Sequence, residues 1–131
     1  MIEAISKNLV ELKQEFRQSY SGSSHIQEAI PLAKSVSFPI DQNELDKLHT
    51  FAAKNPIYYN SYEQKINEID CMIYEGDINK YWLSSIRHSA SSQPFSPTWI
   101  LSAYIITSIA KEFNYNEVID VGSGDGRIAY C

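Results

Sequence analysis

The chain has 131 residues and a mass of 14.9 kDa, and its composition, 44% hydrophobic and 12% aromatic, is typical of a globular protein rather than of a disordered tail or a fibre. Eleven Lys and Arg against sixteen Asp and Glu give a formal charge of -5. No stretch concentrates the basic residues, so nucleic acid is not an expected partner. The two cysteines, Cys71 and Cys131, exclude a disulfide framework and a paired metal motif.

The N-terminal sequence lacks the basic start and continuous apolar run of a signal peptide, because Glu3 follows Met1-Ile2. The longest apolar stretch runs from Trp99 to Ala110 and is shorter than the roughly twenty residues needed to span a bilayer. We therefore expect no membrane span and a cytoplasmic location.

The first ninety residues carry helical patterns. Apolar residues recur every three or four positions from Ile2 to Tyr20, which predicts one amphipathic helix over 2–20. Asp41 followed by Glu44 has the form of a capping box, so a helix should begin there and end before Asn55-Pro56. Three further helices are predicted: 24–34 capped by Ser24, 61–76 capped by Ser61 and ended by Gly76, and 77–88 capped by Asp77.

A small, polar, proline-ended stretch at 89–94 is the best linker candidate. It divides the chain into a helical N-terminal domain, 1–92, and a second unit, 93–131. In the second unit, Ser96-Pro97 predicts a helix start, and the nearly all-apolar run from Trp99 to Phe113 predicts a helix buried between layers. The β-branched segment Glu117-Val118-Ile119-Asp120-Val121 is the one predicted strand.

A glycine-rich segment, Gly122-Ser123-Gly124-Asp125-Gly126, follows this strand, and Arg127 to Cys131 begins a helical pattern. In such an arrangement backbone N–H groups face a ligand, and glycines remove the Cβ atoms that would block its approach. The dinucleotide-binding fingerprint requires a third glycine where this chain has Arg127. The observed order is instead acidic-x-Gly-x-Gly-x-Gly, with Asp120 as the acid.

The segment from Val118 to Gly126 resembles motif I of class I S-adenosylmethionine-dependent methyltransferases, and 120–128 resembles the version found in seven-β-strand lysine methyltransferase families. In those families a Pro-Thr/Ser-rich turn and one helix precede the motif, which is similar to 94–98 and the helix after it. The resemblance covers about 94–131. It implies S-adenosyl-L-methionine as cofactor, bound by Asp120, Gly122, Ser123, Gly124, Asp125 and Gly126.

The resemblance also implies a fold and a function. The expected fold is mainly α, with the N-terminal helical region followed by the first helix, strand and glycine loop of a truncated α/β Rossmann-like methyltransferase domain. The expected function of the full-length protein is methyl transfer to a protein side chain such as lysine, or to a small molecule, with the helical region as a cap that recognises the acceptor. The family's remaining cofactor and acceptor motifs would lie beyond Cys131, so no catalytic residue is identified and the chain alone is expected to be inactive.

A non-catalytic function is the alternative. The chain would then be a helical interaction module whose terminal strand, 117–121, pairs with a partner or with its own copy, because an unpaired strand exposes an edge. A homodimer through this strand is one form of that alternative.

Other chemistry-bearing residues point to structure rather than to a site. No metal site is predicted, because His25, His49 and His88 are far apart and have no partner at ligand spacing. Cys71 is expected in the core, as are Trp82 and Trp99. Three tyrosines near Pro56, in a predicted loop, suit either packing or an acceptor pocket or interface; they are Tyr58, Tyr59 and Tyr62.

Overall fold

The computed structural model of the protein describes residues 2–16, 25–77, 98–117, 119 and 127–131. Over these residues the order of elements is α1 (Ile2–Glu15), β1 (His25–Pro31), α2 (Gln42–Lys54), β2 (Tyr58–Ile66), β3 (Ile69–Asp77), α3 (Ile100–Glu112) and a single turn, α4 (Arg127–Tyr130). The strands form one antiparallel sheet in the order β1-β3-β2. The molecule is a small α+β fold, so the predicted mainly α fold with the start of a Rossmann-like domain is wrong.

Three of the predicted helices are confirmed. α1 ends at Glu15, short of the predicted end. α2 has its N-cap at Asp41 as predicted, although the carboxylate makes no capping hydrogen bond and lies 3.5 Å from Lys34 Nζ. α3 begins at Ile100, later than Ser96-Pro97 predicts. The linker at 89–94 and all but Asp77 of the helix predicted over 77–88 lie outside the described residues.

The helix predicted over 24–34 is wrong, because residues 25–31 form strand β1. This strand pairs with β3 from His25 opposite Asp77 to Pro31 opposite Cys71. Every residue from Gln27 to Pro31 is buried, so the alternation of polar and apolar residues that reveals a half-buried strand is absent from the sequence. Pairing with β3 overrides the weak local preference.

The helix predicted over 61–76 is also wrong, because this segment lies in the β2–β3 hairpin. Its apolar residues fit a helical spacing as well as an alternating one, so periodicity did not separate the two. The turn consists of Asn67 and Glu68, both with positive φ, 49° and 68°. A two-residue turn of this kind ordinarily carries glycine at its second position. With glutamate there, the sequence lacks the usual signal of a hairpin.

Replacing Glu68 by glycine should raise the free energy of unfolding by about 0.5–1 kcal/mol, because glycine adopts positive φ without the steric cost that a Cβ imposes. Urea unfolding followed by circular dichroism measures the change. Glu63→Gly, at an exposed position of β2, is the control and should lower stability. A loss of stability in Glu68→Gly would contradict the prediction.

Gly76 lies within β3 and ends no helix. A Cβ at this position would lie 2.1 Å from the backbone oxygen of Ile57, and the N–H of Asp77 donates to the same oxygen at 3.1 Å. The chain entering β2 therefore approaches β3 so closely that only glycine fits between them.

One hydrophobic core joins the three longer helices to the sheet. Its buried side chains include residues of α1 (Ile5, Leu9, Leu12), α2 (Leu45, Leu48, Ala52), α3 (Ile100, Leu101, Ile105), the strands (Ala29, Ile30, Ile66, Cys71, Ile73, Tyr74) and the segment before α2 (Phe38, Ile40). α3 thus shares the core of the elements that precede the predicted boundary at 92/93, while the boundary itself lies outside the described residues.

α3 is buried on one side only. Ile106 and Ile109 are exposed, at 48% and 38%, so the prediction of a helix buried between layers is wrong for its outer face.

Cys71 is fully buried in the core, as predicted, and burial raises the pKa of its thiol to about 12. Among the described residues, every helix is too short or too polar to cross a membrane.

Candidate functional site

The six residues predicted to bind S-adenosylmethionine, Asp120 and 122–126, lie outside the described residues. Of the strand predicted over 117–121, the two described residues, Glu117 and Ile119, belong to no regular secondary structure, and Ile119 is 89% exposed. The helical pattern predicted after the glycines is confirmed as α4, which begins at Arg127. The structure therefore describes the candidate site through the residues on either side of the motif, those before residue 118 and those after residue 126.

The first of these ends is fixed by the C-terminus of α3. Asn114 has a φ of 59°, its N–H donates to the carbonyl of Lys111 at 3.0 Å, and the N–H of Tyr115 donates to the carbonyl of Ala110 at 3.1 Å. These two bonds form a Schellman motif with asparagine in the left-handed position. They set the direction in which the chain leaves α3 towards residue 118.

The second end is fixed by Arg127, which directly follows Gly126. Its side chain is 3% exposed, and Nη1 donates to Oε2 of Glu28 at 3.1 Å and to the carbonyl of Thr98 at 2.7 Å. Glu28, in the middle of β1, is equally buried. A fully buried ion pair thus holds the residue after the glycine segment against the sheet.

Glu28 connects two more elements through the same carboxylate. Oε1 accepts a hydrogen bond of 2.8 Å from the N–H of Ile100, the first residue of α3. The Tyr58 hydroxyl, on β2, donates to Oε2. Since the N-cap residue Trp99 makes no side-chain capping bond, the carboxylate from β1 caps α3 and places negative charge at its N-terminus, where the helix dipole favours it.

The charges of this cluster balance within the protein. Burial raises the pKa of Glu28, and the Arg127 guanidinium and the hydrogen bonds from Tyr58 and Ile100 oppose that rise. Burial and the nearby Glu28 carboxylate also raise the pKa of the Tyr58 hydroxyl, so this hydroxyl keeps its proton and remains a donor. An unpaired charge at this depth would be strongly destabilising.

Aromatic side chains surround the guanidinium and fasten α4 to α2. The Cζ of Arg127 lies 5.8 Å from the ring centre of Phe51 and 5.9 Å from that of Tyr58, distances at which a cation is attracted to a ring face. The rings of Phe51 and Tyr130 are 4.9 Å apart, and the Tyr130 hydroxyl donates to the carbonyl of Lys47 at 3.0 Å.

The tyrosines predicted in a loop lie on β2 instead, and two of them line a surface pocket of about 310 Å³ together with Tyr74 of β3. Tyr58 is partly buried beneath it, whereas Tyr59 is 63% exposed. The Tyr74 hydroxyl lies 2.6 Å from Nδ1 of His49, whose Nε2 lies 2.8 Å from the carbonyl of Pro31. Because a carbonyl only accepts, the Nε2–H of His49 donates to Pro31.

The described part of the chain contains no group of three or more His, Cys, Asp or Glu side chains placed to hold a metal ion. His49 is engaged with Tyr74 and Pro31, and His88 lies outside the described residues.

Sequence reasoning missed the Glu28 cluster entirely. Glu28 lies in a segment predicted to be helical, and Arg127 is 99 positions away along the chain. The only sequence signal is that each charged residue precedes two apolar ones, Ala29-Ile30 and Ile128-Ala129. This pattern suggests that the charged residue is buried but does not identify the residue with which it pairs.

The chain matches no protein-family model, no curated protein and no solved structure. Functional inference therefore depends on the residues of the glycine segment and on the contacts that hold its two ends.

Proposed function

We propose that the full-length protein catalyses methyl transfer from S-adenosylmethionine, with Asp120 and residues 122–126 contacting the cofactor. The observation that carries this proposal is the acidic-x-Gly-x-Gly-x-Gly segment, directly followed by an arginine that a buried ion pair holds in place. A segment that must close around a ligand loses less entropy on binding when its ends are already fixed.

The donor set of the segment suits this cofactor. Asp120 and Asp125 supply carboxylates and Ser123 a hydroxyl, and these groups favour the ammonium and sulfonium charges of S-adenosylmethionine. Gly122, Gly124 and Gly126 carry no Cβ, which permits close approach of the backbone. When bound, the cofactor supplies a methyl group on a positively charged sulfur, and transfer by in-line attack depends chiefly on positioning.

Arg127 supports the site by position. The contacts with Glu28 and Thr98 direct its guanidinium towards β1 and the start of α3. The net charge of -5 also favours a cationic cofactor. The role of Arg127 is therefore to hold the end of the glycine segment.

The acceptor class follows from the resemblance of the motif. A protein side chain such as lysine is proposed first and a small molecule second, with the α+β region that precedes the motif recognising the acceptor. We place the reaction in the cytoplasm.

Calorimetric titration of the full-length protein with S-adenosylhomocysteine tests the site. We expect Gly124→Val to weaken binding by at least about tenfold, because a branched side chain would occupy the space of the ligand. Gly22→Val makes the same change outside the motif and should bind as the wild type does. Absence of binding by the wild type, or equal binding by Gly124→Val, would exclude this segment from a cofactor site.

A further inference from the structure

Strand β2 forms one edge of the sheet. It pairs with β3 on one side, and among the described residues no strand pairs with its other side. All residues from Tyr59 to Lys65 are exposed. An exposed strand edge presents backbone N–H and C=O groups that another strand can bind.

The regular part of this edge runs from Asn60 to Ile66. The pairing with β3 shifts between Tyr58 and Asn60, which leaves Tyr59 as a bulge and breaks the ladder there. Beyond the bulge, pairing with β3 continues without a gap to Ile66 opposite Ile69. A second strand paired about Gln64 would meet the backbone from Tyr62 to Ile66, because Asn60 and Ser61 would lie opposite the turn residues Glu68 and Asn67.

The side chains of this edge are complementary to themselves. In an antiparallel pair, residues directly opposite each other point to the same face of the sheet, so two identical strands related by a two-fold axis pair about a central residue. Centred on Gln64, the pairing places Glu63 opposite Lys65 of the second copy, and by symmetry does so twice. Centring on Glu63 or on Lys65 would place like charges opposite each other, which is destabilising.

We propose that β2 pairs antiparallel with β2 of a second copy of this chain, centred on Gln64, so that the two sheets form one continuous sheet. The same register places Tyr62 opposite Ile66 of the second copy, whose side chain is packed in that copy's core, so the exposed Glu63–Lys65 pairs carry the side-chain contacts of the interface. The surface includes no residue of the glycine segment, so it can be tested independently of methyl transfer.

The assembly closes at two copies. After pairing through β2, the outer edges of the joined sheet are the two β1 strands. Residues Gln27 to Pro31 of β1 are all buried, so this stretch of each outer edge is closed to a third copy. A two-fold interface that leaves no open edge gives a dimer rather than a fibre.

Analytical ultracentrifugation over a wide range of protein concentration tests the proposal. We expect the wild type to show a reversible monomer–dimer equilibrium. Glu63→Lys and Lys65→Glu should each weaken dimerisation by about tenfold or more, because each places two like-charge pairs across the interface. Within one chain Lys65 contacts only the exposed Asp70, at 3.8 Å, among the described ion pairs; such contacts contribute little to stability, so both variants should fold normally by circular dichroism.

Mixing the two variants provides the decisive measurement. Glu63→Lys has lysine at both positions and Lys65→Glu has glutamate at both, so the mixture should form heterodimers, which native mass spectrometry distinguishes by mass when one variant is uniformly labelled with nitrogen-15. The double variant Glu63→Lys/Lys65→Glu should dimerise as the wild type does. Glu11→Lys, on the exposed face of α1, changes the charge equally and should leave dimerisation unchanged. A wild type that stays monomeric, single variants that dimerise like the wild type, or a mixture without heterodimers would each overturn the proposal.

Discussion

Replacing Glu28 by alanine should lower the free energy of unfolding by about 3–5 kcal/mol, the usual cost of removing one partner of a buried ion pair. The substitution removes the carboxylate from Arg127 and at the same time from the Tyr58 hydroxyl and the N–H of Ile100. Each of these buried donors then loses the acceptor it has in the folded protein. Urea unfolding followed by circular dichroism measures the loss.

A matched control is Glu44→Ala. Glu44 also forms an ion pair, with Lys47 at 3.4 Å, but both side chains are solvent-accessible, so the change should cost no more than about 0.5 kcal/mol. Glu28→Gln keeps an oxygen for the N–H of Ile100 and should fall between the two alanine variants. If Glu28→Ala cost no more than Glu44→Ala, the buried cluster would not stabilise the fold.

Replacing Gly76 by alanine should lower the free energy of unfolding by about 3 kcal/mol, at the upper end of the cost of overpacking a core. The new Cβ would lie 2.1 Å from the backbone oxygen of Ile57, and a backbone oxygen in a strand connection cannot turn away as a side chain can. The strands would have to separate, which would weaken the hydrogen bond between Asp77 and Ile57. Thermal unfolding detects the change as a lower Tm.

The sign of this change is opposite to that expected where no backbone atom lies close to the glycine. In an unobstructed strand, alanine in place of glycine stabilises the protein by roughly 0.5–1 kcal/mol. Ser61→Ala, at an exposed position of β2, is the control and should change stability by less than about 0.5 kcal/mol. An unchanged or raised Tm in Gly76→Ala would show that the backbone approach is looser than the structure has it.

Local sequence signals predicted α1, α2 and α3 and failed for the sheet, and the reason differs from strand to strand. β1 is buried on both faces and shows no alternation. β2 and β3 are joined by Asn67-Glu68, a turn without glycine, so their apolar residues were assigned to a helix. The sequence pattern predicts Gly76 as a helix end, but glycine is required there because the backbone of Ile57 lies too close for a Cβ. That approach depends on the tertiary structure.

The glycine segment could be predicted from the sequence, whereas the contacts that hold its end could not. The segment is visible in the sequence because its spacing is local. The ion pair between Glu28 and Arg127 is not visible there, because these residues come together only when β1, α3 and α4 have packed. A local pattern can therefore indicate a cofactor, whereas the contacts that hold the site in place can be identified only from the folded structure.

The 99 positions between Glu28 and Arg127 also bear on how the protein folds during synthesis. The ribosome makes β1 long before it makes α4, so the carboxylate has no guanidinium to pair with until nearly all of these 131 residues have been added. Contacts between residues so distant in sequence form late, because the loop between them must close first. We therefore expect the ion pair to form late in folding, so that it slows unfolding while leaving the folding rate almost unchanged.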